Sequence, residues 1–245
     1  MNQKVVFLSL LSLLSIQVFS QVQMKPEETE VWEPEPTIVK TGEQNSSPSD
    51  ALVLFDGSDL LQWEDQKGKK PKWEISNGVL TVVPGKGIIK TRTAFADCQL
   101  HIEWRAPAKV KGDGQGRGNS GIFFMGRYEI QVLDSYNNRT YSNGQAGSVY
   151  KDYAPLVNAC KAPGEWQSYD IVFTAPKFEK DGTLLKEARF TVFHNGVLIH
   201  NNVKVAGTTD YIGIHKYTAH EERLALSLQD HGNPVSFRNI WIREL

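Results

Sequence analysis

Residues 116–134, GRGNSGIFFMGRYEIQVLD, constrain this chain more than any other segment. A glycine-rich loop feeds an alternating strand, and strand side chains alternate between faces with period two. Tyr128, Ile130 and Val132 therefore share one face, which reads as core, while Glu129 and Gln131 share the other. Asp134 falls on the Ile130 side unless a bulge shifts it. Bulges re-aim side chains and are common beside active sites. One here would bring Glu129, Gln131 and Asp134 into a single cleft. An exposed strand with polar residues outward fits the same letters, so the neighbouring segments must decide.

Those neighbours also read as strands. Leu100, Ile102 and Trp104 alternate against Gln99, His101, Glu103 and Arg105, the pattern of a half-buried antiparallel strand. Asn77-Gly78 and Asn195-Gly196 supply the positive φ angles that tight hairpin turns need, the second at the tip of a hairpin over 189–199. Further short apolar runs lie at 52–55, 166–173, 224–228 and 237–242. No long amphipathic helix and no internal repeat is present. The G-x-G of the 112–121 loop is not followed by a helix pattern, so it is no dinucleotide fingerprint. Many short strands with turn signals between them predict an all-β fold, an antiparallel sandwich or jelly roll. The 135–163 excursion has little periodicity, and long loops in compact domains are often functional.

Composition bounds the partners. The chain has 245 residues and a net charge of −1, with no basic run able to track a phosphate backbone, so a nucleic-acid partner is not expected. Its Trp and Tyr residues suit both the apolar faces of sugars and an all-β core. Residues 1–20 read as a secretory signal: Lys4, then an apolar run over 5–16, then the small residues Val18 and Ser20 before a cut at Gln21. That run is short for a membrane span. The expected protein is exported to the periplasm or cell surface, with no membrane-spanning helix. Residues 21–50 form a leader rich in Pro and Glu, and the domain occupies 51–245. Export permits a disulfide, but sequence does not show that Cys98 and Cys160 meet. Cys98 reads as a small core residue.

Several segments together resemble one family. LFDGSDLLQWE (54–64), GNSGIFF (118–124), YEIQVLDSY (128–136), PGEWQSYDI (163–171), HNGVLIHNN (194–202) and LQDHGNPVSFRNIWI (228–242) look like the 3-keto-disaccharide hydrolase domain family. The resemblance implies a concanavalin A-like jelly-roll sandwich of two antiparallel sheets, one of them concave and holding the site. It also implies action on glycosides oxidised at C3, supplied by a sugar 3-oxidoreductase. Glu129-x-Gln131-x-x-Asp134 has the layout of the E-x-D-x-x-E strand of family-sixteen glycoside hydrolases, where the extra residue marks a bulge. Here Gln131 replaces the middle acid, which speaks against a double displacement needing two carboxyl groups.

A 3-keto group acidifies the hydrogen on C2. A base removes it, the enolate expels the C1 substituent, and water adds back. Glu129, Asp134 and His231 are the candidates for base, acid and enolate stabilisation. Two carboxylates and a histidine can also hold a divalent ion, though no close-spaced ligand motif makes one specific. Asn119, Gln131, Tyr136, Tyr150, Lys151, Gln229 and Arg238 are the candidates for substrate binding; Asn119 can equally shape its own loop, and for Arg238 a structural pairing with Asp230 is the favoured alternative. The five strand tryptophans, Trp63, Trp73, Trp104, Trp166 and Trp241, read as core. A lectin-like module without catalysis and a conventional glycosidase on unoxidised glycans remain as alternatives.

Overall fold

The computed structural model describes residues 24–43 and 46–245. The expected signal segment lies outside them. The chain divides into a short N-terminal unit ending at Ile38 and a second unit, Val39–Leu245. In the first, Pro26–Thr29 makes one 3-10 turn, and Trp32, 77% exposed, donates its indole N–H to Glu30.

All named strands belong to the second unit. In chain order they are β1 (Leu52–Phe55), β2 (Trp63–Asp65), β3 (Glu74–Ser76), β4 (Val79–Thr81) and β5 (Ile89–Phe95). Next come β6 (Cys98–Arg105), β7 (Ser120–Phe124), β8 (Tyr128–Val132), β9 (Gln167–Thr174) and β10 (Lys177–Phe178). The last are β11 (Leu184–Lys186), β12 (Arg189–His194), β13 (Val197–Lys204), β14 (Leu224–Leu228) and β15 (Ser236–Glu244). Among the described residues, one sheet has the order β13-β12-β9-β6-β15-β4-β3, with β1 also paired to β15. The other has the order β2-β5-β14-β7-β8, and β10 pairs with β11 alone. The pairs are antiparallel. This is the expected all-β jelly-roll sandwich.

The turns sit where their residues demand. Asn77 and Gly78 carry φ of 51° and 74°, and Asn195 and Gly196 carry 52° and 78°. Left-handed pairs of this kind match the twist of the strands they join.

The two sheets close on an aromatic seam. Phe124 of β7 lies 4.9 Å from Phe173 of β9 and 5.1 Å from Phe190 of β12, between ring centres. Tyr128 of β8 packs on Phe173 at 5.9 Å. Trp63, Trp104, Phe173 and Phe190 are fully buried. Trp166 departs from the core expectation: it is half-buried on the outside of the larger sheet, between the guanidinium groups of Arg105 and Arg238. Trp241 is buried against His101, stacked at 5.3 Å. Cys98 and Cys160 are free thiols, and burial pushes Cys98 up to about 12.

The seam predicts a contrast within one sheet. Phe173→Ala should cost about 3–5 kcal/mol, whereas Phe193→Ala, at a side chain 37% exposed on β12, should stay within about 0.5 kcal/mol. Urea unfolding of both variants checks this, and equal losses would deny the seam its role.

Candidate active site

On the smaller sheet, alternation sends Tyr128, Ile130 and Val132 into the core and leaves Glu129 and Gln131 on the other face. The β7–β8 register pairs Gly121 with Gln131 and Phe123 with Glu129, without a shift. A cavity of about 200 Å³ opens there, floored by Phe123, Glu129 and Gln131. Asn119, Gln229 and His231 flank it on one side, and Tyr150, Thr209 and Tyr211 come from loops on the other.

β8 is the edge strand of its sheet. Its free side is closed by the long excursion. The N–H of Gln131 donates to the carbonyl of Ser148, while Gly147 and Tyr150 donate to the carbonyls of Gln131 and Glu129. A covered edge offers no template to other chains, and here the cover also delivers Tyr150 to the cavity. The Tyr150 hydroxyl lies 2.6 Å from that of Tyr141. A second loop is tied to the first: Asp152 sits 2.6 Å from Nδ1 of His215, both buried, and Oδ2 of Asp152 accepts from the N–H of Ala206. Lys151 donates to the carbonyl of Tyr211 and lies 4.2 Å from the centre of its ring. Thr209 Oγ1 accepts the backbone N–H of Glu129.

The side chain of Glu129 is the chemical centre. It is 4% exposed, and no hydrogen-bond or ion-pair partner for its carboxyl exists among the described residues. Burial raises its pKa from 4.5 to about 8. The space it occupies exists because residue 121 is glycine: a Cβ there would stand 2.4 Å from Oε1 of Glu129 and 2.8 Å from the Phe123 ring. Beside it, Gln131 donates through Nε2 to Gln115 Oε1 at 2.9 Å, but its own Oε1 is buried without a partner. The Oε1 of Gln229 is likewise unpartnered. Buried polar atoms in native proteins are nearly always satisfied. Two orphaned acceptors and one bare carboxyl lining the same cavity are a set awaiting hydroxyl donors.

The predicted site residues divide. Glu129, Gln131, Gln229, His231, Asn119 and Tyr150 meet at the cavity. Lys151 stands behind it, holding Tyr211. Asp134 is a correction: it does not line this cavity, and its carboxylate turns to Arg117 at 2.7 Å. That salt bridge satisfies a charge that is 2% exposed, which an unpaired position in the cleft would not. Tyr136 moves with it, its N–H donating to Asp134 and its side chain 41% exposed away from the cavity. Arg238 is also corrected. It binds Glu103 at 2.6 Å and covers Trp166 on the opposite sheet, while Asp230 instead accepts the N–H groups of Gly87 and Gly232. Sequence reading missed Phe123, Thr209 and Tyr211. Phe123 was legible by parity with Glu129 in a hairpin; the 205–216 loop has no periodicity to mark it. Among the described residues, no three His, Cys, Asp or Glu side chains gather in a metal-holding group.

Residues 50–243 match the family model of the 3-keto-alpha-glucoside-1,2-lyase-like domain. A solved structure of a candidate glycosyl hydrolase from Parabacteroides distasonis ATCC 8503 is 48% identical, with a TM-score of 0.87, over 91% of this chain and 97% of its own. Two further candidate glycosyl hydrolases from that organism share the fold at 21% and 20% identity, with TM-scores of 0.59 and 0.56. They align over 80% of this chain and 94% and 99% of theirs. No curated protein matches the chain.

The state of Glu129 has a measurable consequence. Its carboxyl ionises near 4.5 when unfolded and near 8 when folded. Its contribution to stability is therefore full below about 4.5 and is lost as pH rises through about 8. Glu129→Gln should remove that slope, raising stability by a few kcal/mol, on the order expected for such a shift, at pH 9 and changing it little at pH 4. Thermal unfolding at the two pH values checks this.

Proposed function

We propose, from the premise that this chain belongs to the 3-keto-alpha-glucoside-1,2-lyase-like domain family, that it is a glycoside-cleaving enzyme whose substrate sugar carries a ketone at C3. The observation that carries the reading is the bare, buried Glu129 carboxyl beside the orphaned amide oxygens of Gln131 and Gln229. A sugar offers the hydroxyl donors those oxygens lack. A carboxylate with a pKa near 8 is a far stronger base than an ordinary one, and proton transfer is most efficient when the pKa lies near working pH.

The chemistry follows from the ketone. Ionised Glu129 takes the proton from C2, and the electrons move into the C2–C3 bond and onto the C3 oxygen. The enolate re-forms the ketone and pushes out the C1 oxygen. His231, exposed at the rim, gives the departing oxygen its proton. Water then adds its oxygen to C1 and a proton to C2, so the net reaction is hydrolysis. Burial keeps the Tyr150 hydroxyl protonated by pushing its pKa up, so it serves as a donor to the enolate oxygen. Asn119, Gln131 and Gln229 orient the ring. No sugar–enzyme bond is needed. A conventional double displacement needs a second carboxyl group across the sugar, and among the described residues Glu129 is the one carboxylate lining the cavity, Asp134 being held by Arg117. If a divalent ion takes part, Glu129 and His231 are the residues to hold it, and it would stabilise the enolate charge.

The same reading has the protein exported by the 1–20 segment, with a leader over 21–50 and the catalytic domain over 51–245. It works downstream of a sugar 3-oxidoreductase.

The test uses mature protein with a chromogenic glucoside and its C3-oxidised form. Release from the keto form alone, with solvent deuterium appearing at C2, is the expected result. Release from both forms would indicate a conventional glycosidase, and sugar binding with release from neither would indicate a lectin-like module. With the keto substrate, kcat/KM should rise with pH through an inflection near 8, reporting ionisation of Glu129. Glu129→Gln should lower kcat by about 10²–10⁴-fold.

The glycine that makes room for this base gives an independent check. Gly121→Ala should lower kcat at least tenfold by displacing the carboxyl, and a crystal structure of the variant would show that displacement.

A further inference from the structure

A second cavity, of about 400 Å³, lies beside the catalytic one. The two abut along the chain. Gly118 lines the larger and Asn119 the smaller; Gly232 and Asn233 line the larger and His231 the smaller. The N–H of Asn119 donates to Oδ1 of Asn233 at 2.7 Å, joining the two segments at the boundary. His231, the proposed donor to the departing oxygen, stands at that junction.

The lining of the larger cavity is of two kinds. Pro84, Pro107, Val110 and Pro234 give it apolar walls. Lys109, Lys111, Arg117 and Asp134 give it charge. Arg117 is committed to Asp134 and to the carbonyl of Tyr136. Asp230 nearby is turned to backbone N–H groups. Lys109 and Lys111 have no carboxylate partner among the described residues. The site therefore presents two free cations at the mouth of an apolar pocket of ordinary small-ligand size.

We infer that this cavity is the leaving-group subsite, and that it selects aglycones with an apolar body and an anionic substituent. The inference rests on the proposed reading of the catalytic cleft, since only a glycoside held there would place its C1 substituent past His231. The flat faces of the prolines take the apolar body, and the two lysines meet the negative group at the rim, where charges steer encounter and discriminate between partners.

The test compares two C3-oxidised aryl glucosides of similar size, one with a neutral 4-methyl group and one with a 4-carboxylate. Wild-type protein should turn over the carboxylate with a kcat/KM about tenfold higher, the effect of two exposed ion pairs. Lys109→Ala/Lys111→Ala should abolish that preference while leaving the neutral substrate and thermal stability unchanged. A preference that is absent, or that survives the double variant, overturns the inference. A separate arm needs no turnover: NMR titration with 4-hydroxybenzoate against 4-methylphenol, following Val110. Selective binding of the carboxylate, lost in the double variant, supports the subsite even if neither glucoside is cleaved, in which case the proposed reaction fails alone. Equal binding of both probes, or no binding near Val110, overturns the subsite.

Discussion

A carboxyl group buried without a partner is the constraint on which this site depends. Ionising it in an apolar setting is costly, so the group holds its proton and its pKa rises instead. Glu129 reaches that state because its own strand has nothing else to pair it with. Gln131 spends its amide N–H groups on Gln115 and the carbonyl of Gly144, the backbone N–H of Glu129 goes to Thr209, and among the described residues no lysine or arginine lines the cavity. The result is a base held in reserve. The same absence that makes Glu129 costly in the folded state leaves it available to a substrate.

The scaffold around it tolerates this because its own packing is elsewhere. One face of β8 enters the aromatic seam between the sheets, and the Tyr169 hydroxyl reaches across to the Gln131 carbonyl at 2.9 Å. The strand is thus fixed from below, while the excursion that pairs with its free edge fixes it from the side. The loops carrying Tyr150 and Thr209 are locked to each other by the buried Asp152–His215 contact and by Lys151 on Tyr211. Positioning side chains from rigid elements is what lets a base and its acid meet one substrate in a productive geometry.

Charge pairing decides which acids serve chemistry and which serve structure. Asp134 and Glu129 are comparably buried, yet Arg117 neutralises the first and nothing neutralises the second. Glu103 similarly takes Arg238 on the outer face of the larger sheet. The Arg117–Asp134 bridge has a further effect, since it leaves Lys109 and Lys111 as the uncommitted charges of the neighbouring cavity.

The sequence by itself determined the strands and the parity of their faces. Both follow from period-two alternation and from Asn-Gly turns, which act over a few residues and need no partner to be read. That parity placed Glu129 and Gln131 together, and the same reasoning over 224–231 added Gln229 and His231. Tertiary structure alone decided the rest. Whether Asp134 joined the cleft turned on an arginine seventeen positions away, at the other end of the β7–β8 hairpin, and ion pairs of that kind depend on through-space geometry that no local pattern encodes. Arg238 found Glu103 across a strand pair, a neighbour set by sheet order. Tyr211 and Thr209 reached the cavity through a loop without periodicity, placed there by a buried carboxylate–imidazole contact that only the folded chain brings together.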